Sequence, residues 1–500
     1  MNTPIFDTDR RIRLGIWGLG RGTDFYETAK ALNFEVVAGC DYNEHMRRSF
    51  LESTPGAFAT ADAEEFLGRD FDAVLLATFC PGHAADALRC LAAGKHVLSE
   101  VTAFFTMAEG VELVEAVEKS GLVYNLAENY PFTPVMRYLK RRWDEGLFGN
   151  LMYAEFEYVH ECRSLAYTYI DGTPVQPGDS VHTWRSWMNF HYYCTHSLGP
   201  VMIITGERPT EVVALPAGPR LAGYLPLEEE GMGGVAPSLV KMSGGGIVRN
   251  LMGATTNDSH VQRLWGTLGS AEVNVGEELK LRLGGSGHSP KMAVTPTGDE
   301  LDTLARSTGH GGGDFWVLYY FARQILTGER APFDVYVAAD GTIPGIQVVR
   351  SARSGGQPMP VPDFRDPKQR DQYRHDTWRQ GAYDTRGGLF PAGADRTITT
   401  RFSRAMADLI RCSLLYRQWA DWSRVRHDMT DPDRLRQLKA ELLEKLPEIR
   451  GTYAAARQLI NAYPESDAAC VLREMLENVG DERRVMAPDF DDELGNSSEL

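Results

Sequence analysis

The chain has 500 residues, is 43% hydrophobic and 24% charged, and has a mean hydropathy of -0.31. These values exclude a disordered chain, a collagen-like repeat and a membrane-embedded bulk, and the length allows three domains or fewer at roughly 150 residues each. A formal charge of -16, from 52 Lys and Arg against 68 Asp and Glu, repels phosphate backbones and anionic lipid, which speaks against nucleic acid or a membrane as partner.

The first 150 residues alternate short apolar runs with helical periods. RIRLGIWG, FEVVAGC, DAVLLAT, KHVLSE and LVYNLA read as strands apolar on both faces, as buried parallel strands are. Between them, HAADALRCLAAG and MAEGVELVEAVEKSG read as helices closed by glycine. Such alternation predicts an α/β Rossmann domain, a doubly wound parallel sheet, over residues 1–150. After LFGN the pattern changes. LMYAEFEYVH, TEVVALPA, GGIVRNLMGATT and LKLRLG predict an α+β domain with an open, mostly antiparallel sheet over 151–369, with a helix, DFWVLYYFARQILTG, embedded in it. A helical C-terminal extension is expected over 370–480 and an acidic, disordered tail over 481–500. The apolar positions Phe402, Met406, Leu409, Ile410, Leu414 and Leu415 recur at helical spacing, so this face is buried either on its own chain or by self-association. Seven cysteines without a CxxC pair argue against a disulfide framework or a zinc ribbon. No signal-like segment and no apolar run of about 18 residues is seen, so a cytoplasmic location is expected.

Strand one leads into Gly15-Ile16-Trp17-Gly18-Leu19-Gly20-Arg21-Gly22. A glycine turn at a strand-to-helix junction lets backbone N–H groups approach a pyrophosphate, and the positive helix end favours that charge. The third glycine of GxGxxG falls at Thr23, with Gly22 beside it. Strand two ends in Cys40-Asp41, and Asp41 lies 23 residues after Gly18, near the roughly 20 of a ribose-binding acid. An acid there accepts from the ribose 2′-OH and repels a 2′-phosphate, favouring NAD over NADP.

With GLGRG, Asp41, Thr78-Phe79-Cys80-Pro81-Gly82-His83 and ALRCLAAGKHVLSE, the chain resembles the Gfo/Idh/MocA family of NAD(P)-dependent sugar oxidoreductases. The last run is similar to the family's AxxAGKHVxxEKP motif, which borders the nicotinamide. Here Val101 stands for the family's Lys and Thr102 for its Pro. The Lys commonly assists proton transfer in dehydrogenase members, so its loss speaks against simple dehydrogenase chemistry. The resemblance implies that Gly18, Gly20, Arg21, Gly22, Asp41, Thr78, Pro81, His83, Glu100, Val101 and Asn129 hold the cofactor. A narrower resemblance, over about residues 10 to 365, is to glycoside hydrolase family 109. It rests on Glu128-Asn129-Tyr130, Tyr158-Val159-His160, Tyr193-Cys194-Thr195-His196-Ser197-Leu198-Gly199-Pro200, His310-Gly311-Gly312-Gly313-Asp314 and Pro362-Asp363-Phe364. Cys194 replaces that branch's Pro. The resemblance implies hydrolysis of a glycoside, typically an N-acetylgalactosaminide, with a tightly held NAD reduced and reoxidised within each turnover. It also implies a homo-oligomer joined through the open face of the second-domain sheet.

Direct glycoside hydrolysis requires two carboxylates flanking the scissile bond, and the second domain shows no clear pair: Glu155, Glu157 and Glu161 lie on one strand and its end. A bound NAD offers another route, in which oxidation at C3 acidifies the C2 proton and the C1 substituent is eliminated. Water then adds and the hydride returns. That route needs two bases and an acid with tunable pKa values, and His196, Tyr193, Tyr158 and Glu128 supply the set. Each also has a plain structural alternative. His196 is a helix cap or an acid–base partner of Tyr193, Tyr158 is core packing or a site residue, and Arg185 is a surface arginine or a substrate ligand beside Tyr158, Tyr193 and His196. Glu128 ends a buried strand at the carboxyl edge, where ligands of open α/β sheets bind. His182, His191 and His196 lack a metal-ligand spacing, so no metal is expected. A net sugar or polyol dehydrogenase, and a catalytically silent NAD-binding regulator, are the competing functions.

Overall fold

The computed structural model describes residues 5–166, 169–170, 173–174, 184–218, 220–224, 234–255, 258–274, 276–284, 287–298, 300–380, 391 and 393–496. The chain divides into two compact units. One comprises Met1–Glu161, Asn189–Pro219 and Glu228–Gln380, and the other Cys162–Met188, Arg220–Leu227 and Gly381–Leu500.

In the first unit, strands β1 (Ile12–Trp17), β2 (Phe34–Cys40), β3 (Phe58–Thr60), β4 (Ala73–Leu76), β5 (His96–Ser99) and β6 (Tyr124–Leu126) form one sheet. Its order is β3-β2-β1-β4-β5-β6, with every pairing parallel. This is the doubly wound arrangement whose crevice opens at the carboxyl ends beside β1 and β4. Five strands match the apolar runs; β3, only three residues long and half-buried, carries no run that marks it. Helices α1 (Tyr26–Ala31), α2 (Glu44–Ser53), α3 (Ala63–Leu67), α4 (His83–Ala92), α5 (Met107–Ser120) and α6 (Pro134–Asp144) belong to this half. Local chemistry bounds them: the Asn43 and Asp62 side chains cap α2 and α3, and Thr106 with Glu109 forms a capping box on α5.

Strand β7 (Leu151–Val159) opens the second sheet. In the other unit, helix α7 (Arg163–Ala166) is followed by a hairpin of β8 (Tyr169–Ile170) and β9 (Thr173–Pro174). Helix α8 (Thr195–Thr205) and strands β10 (Pro209–Ala214), β11 (Val235–Met242), β12 (Ile247–Gly253), β13 (Gln262–Gly266), β14 (Gly269–Val273), β15 (Leu279–Leu283) and β16 (Met292–Val294) return to the first unit. With β17 (Met359–Pro360) they make a nine-stranded sheet, β16-β15-β14-β13-β7-β12-β11-β10-β17, antiparallel except for β7 with β12. Helices α9 (Glu300–Ala305), α10 (Gly313–Thr327), α11 (Val335–Arg353) and α12 (Pro367–Asp371) complete this unit. The embedded helix is where its pattern placed it. The 19-residue α11 was not singled out, because it is buried almost throughout and shows no polar face from which a helical period can be read.

The C-terminal helices α13 (Arg396–Arg424), α14 (Pro432–Ala462), α15 (Asp467–Glu474), α16 (Glu482–Val485) and α17 (Phe490–Asn496) belong to the second unit. Phe402, Met406, Leu409 and Ile410 of α13 are buried, as are Leu438, Leu442, Leu446, Ile449 and Tyr453 at matching spacing on α14. Packing within the chain covers these four positions of the expected face, while Leu414 and Leu415 are half-buried. Within the acidic end the described residues reach 496 and carry α16 and α17, with Phe490 fully buried against Tyr416 at 5.9 Å and Trp419 at 6.0 Å between ring centroids. Two aromatic anchors outweigh the local polarity from which disorder was expected. Leu409→Ala should therefore destabilise the helical unit by about 2–5 kcal/mol in urea unfolding and leave the mass in solution unchanged.

Candidate active site

The turn after β1 is shaped by close approach. Gly18 has φ +96°, and a Cβ there would lie on the carbonyl of Ala77 at the end of β4; only glycine fits. At Gly22 a Cβ would meet Ile16 Cγ2 of β1, so Gly22 takes the helix-packing role that the motif assigns one position later. Gly20 has open space around it, which leaves the loop backbone approachable. Asp41 follows β2, and its two carboxylate oxygens accept from Leu19 N and Asn43 N, each at 2.8 Å. Burial pushes its pKa up, and these backbone bonds oppose the shift. Each oxygen keeps a second lone pair for a ribose hydroxyl. Thr78 and Pro81 are half-exposed beyond β4.

Other expected cofactor ligands are engaged with one another. Arg21 donates to Glu100 Oε1 at 2.9 Å and, through both terminal nitrogens, to Asp314 at 2.8 and 3.1 Å. Asp314 also accepts from Asn129 Nδ2 at 2.9 Å and from His310 Nδ1 at 3.0 Å. Burial opposes the charges of Arg21 and Asp314, but their pairing outweighs it. Asp314 is held below the usual carboxylate range and Arg21 above its ordinary value. The hydrogen bond to Asp314 raises His310. This cluster ties the nucleotide loop to the HGGGD turn, and it leaves the buried Asn129 Oδ1 without a partner. His83 is buried rather than lining a groove: its ring nitrogens lie 3.0 Å from Thr102 O and 3.1 Å from Thr78 O, and burial lowers its pKa. Val101 is 2% exposed, an aliphatic side chain that carries no proton.

A second cluster forms around His196. Glu128, beyond the carboxyl end of β6, is fully buried; it accepts from Tyr130 N at 3.1 Å on Oε1 and from His196 Nδ1 at 2.8 Å on Oε2. A carboxylate only accepts, so the ring proton sits on Nδ1 and Nε2 is left as a base pointing away from the carboxylate. His196 lies on the first turn of α8, but its bond to Glu128 makes it more than a helix cap. Tyr130 stacks on it at 4.4 Å, and Tyr193 and Tyr158 meet it edge-on at 4.6 and 4.8 Å. Tyr158 thus comes from the sheet face that also buries Ala154 and Phe156. Glu155 and Glu157, on the opposite face, are paired with Arg249 and Arg263.

His196, Tyr193, Tyr158 and Glu128 are therefore brought together. Arg185 belongs to the other compact unit, where its guanidinium lies 4.2 Å from the ring centroid of Trp184. His182 lies outside the described residues. His191 is fully buried, and burial pushes it down to about 3. Among the described residues no group of three or more His, Cys, Asp or Glu is arranged to hold a metal ion, and no helix is long and apolar enough to cross a membrane. The seven cysteines, all among the described residues, form no disulfide. A cleft of about 680 Å³ opens at the far end of α8, among Arg137, Arg208, Asp340, Asp363 and Arg365; the PDF motif falls there and not at His196. Its cations are already paired, as Arg365 with Asp340 at 2.8 Å and Arg208 with Asp363 at 3.4 Å.

Sequence reasoning missed Tyr130 and His160 as site residues, although both stand in quoted motifs, and missed Asp258 and His260 altogether. The last two are placed by a non-local bridge. Ser259 pairs antiparallel with Val159, bonding at 2.8 and 3.0 Å, which sets His260 beside Tyr158 and Asp258 beside His160. The only local signal is the Asp-x-His spacing. Two outcomes are expected. Asp41→Ala should weaken NAD binding by about 1.5–3 kcal/mol and relax discrimination against NADP in paired titrations. Because His310 is raised above its ordinary value near 6.5, its contribution to stability is complete below that pH and is lost as pH rises through the raised value. His310→Gln should abolish that alkaline loss in thermal unfolding measured against pH.

Residues 12–128 match the oxidoreductase family, NAD-binding Rossmann fold, and residues 296–391 match the glycosyl hydrolase 109, C-terminal domain. A glycosyl hydrolase family 109 protein of Saccharopolyspora erythraea is 27% identical over 408 residues, covering 72% of this chain and 84% of its own. An alpha-N-acetylgalactosaminidase of Tannerella forsythia is 26% identical over 338 residues, covering 59% and 71%. Among solved structures, a levoglucosan dehydrogenase in complex with NADH and L-sorbose superposes with a TM-score of 0.58 at 18% identity, over 71% of this chain and all of its own, a likeness of fold. Residues 12–128 are thus similar to the Gfo/Idh/MocA NAD-binding Rossmann domain and residues 296–391 to the C-terminal domain of glycosyl hydrolase family 109, the families that the motifs resemble.

Proposed function

We propose that the protein is an NAD-dependent glycosidase that works by transient oxidation of its sugar. The observation that carries this reading is the buried Glu128–His196 pair ringed by Tyr130, Tyr158 and Tyr193, in a chain whose family lysine is the buried Val101. The relatives named for glycosyl hydrolase family 109 and for alpha-N-acetylgalactosaminidase activity support the same class. The two-carboxylate route lacks support, because Glu155 and Glu157 pair with arginines on the sheet face away from Tyr158.

NAD, when bound, supplies a hydride acceptor. The glycine turn with Gly18 and Gly22, the Asp41 carboxylate and the unpartnered Asn129 Oδ1 are the groups that would hold it. His196 Nε2 takes the proton of the sugar hydroxyl as that carbon is oxidised, and Glu128 keeps the resulting imidazolium in place. The Tyr193 phenol stands ready as a weak acid toward the leaving group, and Tyr158, as its phenolate, as the base that receives the C2 proton. The aromatic walls exclude water, which strengthens each of these interactions.

The test uses the purified protein with p-nitrophenyl N-acetyl-α-galactosaminide and no added NAD. Release of nitrophenol and free sugar, with absorbance at 340 nm that rises and falls within turnover, supports the reading. Stoichiometric net NADH formation only in the presence of added NAD identifies a dehydrogenase instead, and bound NAD without any turnover identifies a silent regulator. His196→Ala and Glu128→Gln should each lower turnover about a hundredfold to ten-thousandfold with NAD content unchanged by absorbance.

A further inference from the structure

His260 stands against the same aromatic cluster, in the loop between β12 and β13. Its ring stacks on Tyr158 with centroids 5.2 Å apart and meets Tyr130 edge-on at 5.7 Å. The Tyr130 phenol lies 3.4 Å from His260 Nδ1, its one hydrogen-bond partner among the described residues. A phenol that donates to Nδ1 leaves the ring proton of a neutral imidazole on Nε2. That nitrogen is buried and has no hydrogen-bond partner. Buried donors are almost always satisfied, so this nitrogen is open to an acceptor that the protein itself does not provide.

We propose that His260 is a further catalytic residue, a neutral hydrogen-bond donor that stabilises the substrate oxygen on which negative charge develops. The inference rests on the reading given under Proposed function and assigns the oxygen. Once C3 is a ketone, a base removes the C2 proton. The C–H electron pair forms the C2–C3 double bond, and the carbonyl π pair moves onto oxygen as an enolate. The enolate then collapses: the C3 carbonyl re-forms, the C1–C2 double bond forms, and the C1–O bond breaks with its electron pair leaving on the aglycone. His260 Nε2–H holds the enolate oxygen between these two steps without transferring its proton.

The surroundings keep His260 neutral. Burial pushes it down to about 4, with His160 and His196 opposing its positive charge and Asp258 and Glu157 favouring it. Asp258 is already bonded to His160 at 2.7 Å and Glu157 to Arg249 and Ser259, so neither is given over to His260. Tyr130 and Tyr158, the remaining titratable groups against its ring, are phenols. A neutral imidazole is a donor well matched to an enolate, since the two bind the shared proton with comparable strength.

The experiment compares wild type, His260→Phe and His260→Gln. In each, C2 hydrogen–deuterium exchange into recovered sugar, turnover of the nitrophenyl glycoside and NAD content are measured. Phe keeps a ring against Tyr158 but removes the donor; Gln restores an N–H. Expected is a drop of about a hundredfold or more in exchange and turnover for Phe, substantial recovery for Gln, and unchanged NAD content and thermal midpoint for both. Wild-type rates in the Phe variant, or equal loss in both variants, would overturn the role of His260 and leave the glycosidase reading standing. Absence of exchange and turnover in wild type would overturn both.

Discussion

A carboxylate with no exposed surface needs a donor for each oxygen, and this requirement at Glu128 organises the site. Stripping a charge of water is costly unless hydrogen bonds replace the water. Here the replacements are the backbone N–H of Tyr130 and the ring of His196. The first bends the chain after β6 so that the Tyr130 ring is delivered onto His196. The second fixes the histidine's tautomer and aims its free nitrogen. Gly199, one turn further along α8, completes the fit, since a Cβ there would lie 3.2 Å from Glu128 Cγ.

The second sheet supplies the opposing wall. β7 alternates its side chains, so Tyr158 faces the histidine while Glu155 and Glu157 face arginines on the other side. A short bridge between Val159 and Ser259 then brings His260 and Asp258 alongside Tyr158 and His160. Four segments far apart in sequence, around Tyr130, Tyr158, His196 and His260, thus contribute rings to one cluster. Such packing leaves few rotamers open to each ring and fixes the direction of its polar edge.

The ion cluster at the nucleotide loop shows how an acidic chain uses its arginines. Arg21, placed by its motif as a ligand to the cofactor, bridges Glu100 and Asp314. Its charge is balanced within the protein, beside the neutral backbone of the glycine turn and Asp41. His83 is likewise a strut between two loop carbonyls. In both cases a residue type compatible with binding serves to hold the loops that border the crevice.

Local sequence determined the doubly wound domain, the glycine turn, Asp41 and the embedded helix, because short-range periodicity and close backbone approach write themselves into neighbouring residues. It also singled out His196, Tyr193, Tyr158 and Glu128, through motifs whose order is preserved along the chain. What only the tertiary structure decided was pairing across distance. Glu128 holds His196 across 68 residues, Arg21 meets Asp314 across 293, and His260 reaches Tyr158 through a bridge that no local pattern announces. The same is true of α11, buried on all sides, and of α16 and α17, whose acidic sequence reads as solvated until Phe490 finds Tyr416 and Trp419. Each depends on which surface arrives opposite, and the register between distant strands and helices sets that, not the residues alone.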